Sequence, residues 1–312
     1  MNMLRIFTLL VTCLFATTGQ AQFLIRGIGS GAASNGTYTG PGNVVGAIFW
    51  WGLRAYNTAG AGTAKLVQLQ RASDSQTCDI IASVTGGFGN TANCSGAANG
   101  QTAAVFCNAT ICSVMRLYEQ TGNLACTATA CDYAQTGAPP VLTLNCIGSQ
   151  PCMTFNGTTQ ELRTVNNSGS AQAQPLTIVS ASRTNAGSGN QTTFGISSAQ
   201  VQTGYNVPTG FFFFAGSEVF PATPLIVLGT WYARQDLFNG ASSAGFINGA
   251  ATAAPGNPGA VGLTTGTILT LGSSSSANFL NGPIVEGGVW AGAFSGPQQT
   301  SMDNNIRSYW GF

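Results

Sequence analysis

The stretch Ala64–Arg71, AKLVQLQR, sets the reading of the whole chain. Alternation places Leu66 and Gln68 on one face and Val67 and Leu69 on the other, the two-residue period of a strand. Outward from it, short β-branched or aromatic runs recur, each bounded by Gly, Asn, Ser or Pro. They are Val44–Gly52, Ser113–Tyr118, Val141–Asn145, Leu176–Ser182, Gly210–Ala215, Leu225–Arg234, Gly266–Leu271 and Ile284–Trp290. Many short strands separated by turn signals predict an all-β sandwich. The 42 glycines agree, because each costs about 1 kcal/mol in a helix interior. Two helices are compatible with the pattern. One, around Ile48–Tyr56, competes with the strand reading there. The other is Pro297–Trp310, where Pro297 suits a first helical turn.

Composition narrows the chemistry. Of 312 residues, 44% are hydrophobic and only 6% charged, with a formal net charge of +1. Such a chain can bury a core but offers no basic surface for nucleic acid. Histidine is absent. That excludes a Ser-His-Asp triad, a Cys-His pair and any His-ligated metal. Neither a metal nor a cofactor is expected.

The start, Met1–Ala21, reads as a secretory signal peptide: Arg5, then the apolar run Ile6–Ala16, then small residues at Gly19–Ala21. Its removal takes Arg5 and leaves a net charge near zero. The mature chain from Gln22 to Phe312 is read as one domain, secreted to an extracellular or periplasmic space, with no later membrane span. Cys13 leaves with the signal. The remaining eight cysteines all lie between positions 78 and 152, and an even count in an exported chain predicts disulfides. Pairing along the chain gives Cys78–Cys94, Cys107–Cys112, Cys126–Cys131 and Cys146–Cys152, each stapling a short loop. The four-residue gaps fit a zinc knuckle poorly. Gly169–Ala173 and Ser273–Ser276 read as exposed turns.

Two passages carry a family resemblance. Gly52–Ile80 (GLRAYNTAGAGTAKLVQLQRASDSQTCDI) and Phe106–Asn123 (FCNATICSVMRLYEQTGN) resemble the catalytic domain of α-L-arabinofuranosidase B. In that family an LQRxSD strand precedes a Cys-x4-Cys loop and a YDQSGN turn. Cys107, Cys112, Tyr118, Gln120, Gly122 and Asn123 match, whereas Glu119 replaces Asp and Thr121 replaces Ser. Phe155–Leu162, Phe246–Thr252, Thr270–Trp290 and Ser301–Phe312 look like parts of a concanavalin/laminin-G-type sandwich. Together they imply a concanavalin-like jelly-roll β-sandwich with disulfide-stapled loops, a short C-terminal helix, and a polysaccharide or other glycan containing arabinose as partner.

The resemblance also implies where chemistry would sit. A retaining glycosidase uses two carboxyl groups about 5–5.5 Å apart. The family nucleophile follows an apolar strand in an Asp-x-Glu-Asn setting, and the matching strand here, Phe211–Phe214, leads to Glu218. The family acid/base follows a glycine pair, and the matching stretch Gly272–Ser276 has no carboxylate. The family's adjacent cysteine pair is also missing. Asp236 is the alternative acid. Trp231 and Tyr232, flanking Arg234 and Gln235, form a candidate sugar-stacking set, with Trp50 and Trp51 as a second pair. Glu286 reads as a structural acid within its strand, and Asp79 and Glu119 as residues that bond backbone at turns.

Overall fold

A computed structural model of the chain describes residues 38–123, 129–166, 171–196 and 201–312. The predicted signal peptide lies outside them. The strand Asn281–Ala291 organises one sheet, and nine of its eleven residues are buried. Gly288 lets the neighbouring strand approach closely, since a Cβ there would fall 2.6 Å from the Phe49 carbonyl oxygen. One edge of Asn281–Ala291 pairs first with Gln150–Asn156 and then with Phe49–Gly52. The other edge pairs with Leu176–Ser182, which is followed by Tyr232–Phe238, Ala244–Ile247 and Ala250–Ala251, all antiparallel.

The second layer runs through Phe88–Ala92, Thr77–Ala82, Lys65–Arg71, Cys112–Leu117, Tyr133–Gln135 and Leu162–Arg163. It continues through Leu269–Leu271, Gly189–Ile196, Gln202–Val207, Gly210–Phe214 and Glu218–Val219. Val141–Ile147 bridges the layers, pairing with both Cys112–Leu117 and Gln150–Asn156. The inner faces meet through rings: Trp51 with Tyr133, Phe213 with Phe238 and Tyr205 with Tyr232, at centroid separations of 4.5, 5.7 and 6.2 Å. The protein is an all-β sandwich.

The opening stretch forms the strand Lys65–Arg71. Leu66, Val67 and Leu69 are all fully buried, and bulges after Lys65 and Gln68 break the simple alternation. Around Ile48–Tyr56 the strand reading prevails, although only Phe49–Gly52 pairs, and Pro41–Val44 is a single helical turn. The predicted strand Leu225–Arg234 is corrected to Tyr232–Phe238. Leu225, Val227 and Leu228 lie exposed in a loop, turned at Gly229 with φ +77°. Likewise Gly266–Leu271 shortens to Leu269–Leu271.

The terminal helix spans Gly296–Trp310, with Pro297 in its first turn. The Ser295 backbone N–H donates to Gln298 Oε1 at 2.8 Å, and Gly311 ends the helix at φ +78°, a conformation glycine adopts freely. Its buried stripe is Met302, Ile306 and Trp310. Among the described residues, no helix is long and apolar enough to cross a membrane. Disulfides join Cys78 to Cys94, Cys107 to Cys112 and Cys146 to Cys152. Cys131 is buried, and its predicted partner Cys126 lies outside the described residues.

Candidate functional site

Glu218 begins a two-residue edge strand paired with Phe213–Phe214, and its side chain is exposed. It accepts a hydrogen bond from the Asn190 amide. Asp236 lies instead in the interior. Its Oδ2 is 2.9 Å from Arg234 Nη2 and accepts from the Thr203 hydroxyl. Arg234 also donates to the Gly204 carbonyl at 2.5 Å and stands over the Phe211 ring at 4.8 Å. Burial pushes the Asp236 carboxyl above its ordinary range, against the pull of Arg234 and Thr203. One candidate carboxylate therefore faces solvent and the other faces the core.

The aromatic candidates are buried as well. Trp231 is 8% exposed, with Phe312 stacked on it at 5.9 Å and the Arg183 guanidinium 5.2 Å from its ring. The Tyr232 hydroxyl accepts from the Val227 N–H at 2.9 Å while its ring packs edge-on against Phe211. Trp50 and Trp51 are core residues, and Trp51 Nε1 donates to the Cys131 carbonyl at 2.9 Å. None of the four presents an open ring face to solvent. The alternation that placed them on strands could not say which strand face was covered.

The serine turn Gly272–Ser276 holds a residue that sequence reading missed. Glu161, carried between the strands Gln150–Asn156 and Leu162–Arg163, is buried against it. Its Oε2 accepts from the Ser276 N–H at 3.1 Å and from the Ser273 hydroxyl, and its Oε1 lies 2.7 Å from Arg163 Nη2. A carboxylate thus reaches this turn from a distant segment, but its contacts tie it to the turn, to Arg163 and to the Thr136 hydroxyl. Only the tertiary fold reveals it, since nothing around Gln160–Leu162 marks Glu161 beforehand.

The remaining carboxylates have partners too. Glu286 and Arg54, both fully buried, form a two-point ion pair at 2.5 and 2.8 Å, and Tyr309 stacks on the guanidinium at 4.4 Å. Asp132, Asp303 and exposed Asp74 pair with Arg116, Arg307 and Arg71. Asp79 departs from its expected turn role. It sits mid-strand and bonds side chains: Lys65 at 2.7 Å, Tyr118 at 2.6 Å and Asn93 at 3.0 Å. Burial pushes the Asp79 carboxyl up, but these donors together carry it below its ordinary range. Glu119 does bond backbone, accepting from the N–H groups of Trp50 and Thr121 at 3.1 and 2.9 Å. Burial raises its carboxyl despite those bonds.

Two surface grooves flank the hairpin of Thr77–Ala82 and Phe88–Ala92. One, of about 260 Å³, is lined by Ser83, Asn90, Thr102, Gln150 and Tyr309 among others. The other, of about 380 Å³, shares Ser83, Gly89 and Asn90 with it. No charged side chain lines either groove.

No protein-family model matches the chain, and no curated protein matches it. Solved structures do. An arabinofuranosidase complexed with arabinofuranosyl-α-1,2-xylobiose superposes with a TM-score of 0.62 at 16% identity, over 87% of this chain and 65% of that one. A GH54 α-L-arabinofuranosidase soaked with a cyclic sulfate inhibitor gives the same TM-score and coverage at 17% identity. The likeness is one of fold. This chain spans 65% of the length of the two chains it resembles.

Proposed function

We propose that this protein is an exported, non-catalytic glycan-binding β-sandwich, whose ligand is an arabinose-containing polysaccharide and whose hydrolytic site is degenerate. The observation that carries this reading is the state of the nine carboxylates. Seven are held in ion pairs, Glu119 is tied to backbone N–H groups, and Glu218 bonds an amide. A glycosidase acid must meet the leaving oxygen with a free, raised-pKa carboxyl. Four carboxyls are raised, yet Asp236 is locked beneath Arg234 and Thr203, Glu119 against the main chain, and Asp132 and Asp303 are paired with Arg116 and Arg307. At the serine turn the carboxylate in contact, Glu161, is committed to Arg163 and to the turn itself. The neutral grooves suit a neutral, hydroxyl-rich ligand. Stapled loops and the Met1–Ala21 pattern support export.

The test is to incubate the oxidised protein with 4-nitrophenyl α-L-arabinofuranoside and, in parallel, to run it through gels containing arabinan. Retardation without nitrophenol release is the expected result. Turnover by the wild type that disappears in Glu218→Gln would overturn the reading and make the protein a hydrolase. Neither turnover nor retardation would leave a structural or adhesive sandwich.

A further inference from the structure

The groove between the Ser83–Asn90 turn and Tyr309 has a construction that its lining residues alone do not convey. Its walls come from three separate segments, and a disulfide anchors each. Ser83–Asn90 lies inside the loop closed by Cys78–Cys94. Ser149–Pro151 lies inside the loop closed by Cys146–Cys152. Thr102–Ala104 opens the helical turn Ala103–Phe106, which runs directly into Cys107 of the Cys107–Cys112 bridge. The terminal helix supplies the fourth side through Tyr309, whose ring is held over the Arg54 guanidinium at 4.4 Å.

We propose that this groove is the glycan-binding site of the protein, a neutral cleft for a short run of furanose or pyranose units, preorganised by the three disulfides. The inference rests on the glycan-binding reading above and gives it a location. Ser83, Thr85, Asn90, Thr102 and Gln150 line the groove beside apolar Phe88, Leu144 and Pro151, with the Ser83 and Thr85 hydroxyls bonded to one another at 3.0 Å. That mixture matches the alternating hydroxyl and C–H faces of a sugar, and the lack of charge avoids desolvating an ion. Gly87 keeps the Tyr309 hydroxyl reachable from the groove, because a Cβ there would lie 2.9 Å from that oxygen. Walls fixed before binding lose less freedom on complex formation, which leaves more of the contact energy as affinity.

The experiment is calorimetric titration of the oxidised full-length mature protein with α-1,5-linked arabinopentaose. Tyr309→Phe removes one hydroxyl and keeps the ring over Arg54, and Gly87→Val narrows the cleft from the surface. Each variant is expected to weaken binding by about tenfold, the equivalent of one to two hydrogen bonds, with the urea midpoint unchanged in Tyr309→Phe. Wild-type binding that survives both variants undiminished would overturn the groove assignment while leaving glycan binding intact. Failure of the wild type to bind the pentaose at all would overturn both.

Discussion

Between Cys78 and Cys152, three disulfides among the described residues close loops with sequence separations of 16, 5 and 6 residues, and the segments they hold are rich in Gly, Ser, Thr and Asn. From Leu176 onward there is no cysteine, and the sheets instead enclose Arg234, Asp236, Thr203 and Gln191, all buried. The stapled half carries most of its polar residues outward, around a groove, and buries Asp79, Thr91 and Asp132. The cysteine-free half carries them inward, where each needs a partner. Covalent closure relieves a loop of the need for its own apolar core. Without it, buried polar groups must be matched in place, and the match is incomplete: Asp236 Oδ1 and Arg234 Nε have no hydrogen-bond partner. Arg54, ahead of the stapled segment, and Glu286, in the cysteine-free half, form a fully engaged pair.

The contrast breaks first at Asp236. Asp236→Leu strands Arg234 in the interior, and a loss of about 3–5 kcal/mol in urea unfolding is expected. Adding Arg234→Met should restore most of it, since that pair already leaves two polar atoms unmatched. A double variant as unstable as the single one would show that the cluster supplies specific structure and is not a tolerated burden.

In the stapled half, Cys78→Ser with Cys94→Ser should cost about 3 kcal/mol, and Cys107→Ser with Cys112→Ser about 2 kcal/mol, following loop length. Scanning calorimetry of both doubles sharpens the comparison. Equal losses would mean that local strain, and not chain entropy, sets the effect.

The smallest effect is in pH, and its sign differs between Asp79 and Asp236. Asp79, in the stapled half, has its carboxyl lowered by Lys65, Tyr118 and Asn93. Its contribution is therefore present above the ordinary carboxyl value of 3.8 and is lost as pH falls through the lowered folded value. Because Lys65 is half-exposed, about 1 kcal/mol or less is at stake. Asp236 behaves oppositely. Burial raises it, so its contribution is full below 3.8 and is lost as pH rises through the raised folded value. Asp79→Asn should flatten the acid limb of a stability–pH curve. Asp236→Asn should leave that limb in place.

Much of the sandwich was legible in the chain. Lys65–Arg71, Leu176–Ser182, Gly210–Phe214 and Asn281–Ala291 all fall within or around runs of apolar residues at strand spacing. Gly189–Ile196 and Gln202–Val207 escaped notice because their buried positions are largely Gln, Thr and Gly, which carry no apolar signal. Leu225–Leu228 misled for the converse reason: Leu225, Val227 and Leu228 are apolar but exposed, and a run of that composition reads the same on either side of the surface. The helix Gly296–Trp310 was visible from Pro297 and its length.

The site was less legible. Composition and spacing determined the absence of histidine chemistry and the β-rich architecture, because each depends on residue type or on neighbours a few positions away, and pairing along the chain anticipated three of the disulfides. Tertiary structure alone decided that Trp231 and Tyr232 are covered, that Glu161 reaches the serine turn, and that three stapled segments form the walls of one groove. Those facts join segments that are separate in the chain, Glu161 and Ser273 by 112 positions, and no local pattern encodes which distant strand will cover a ring or complete an ion pair.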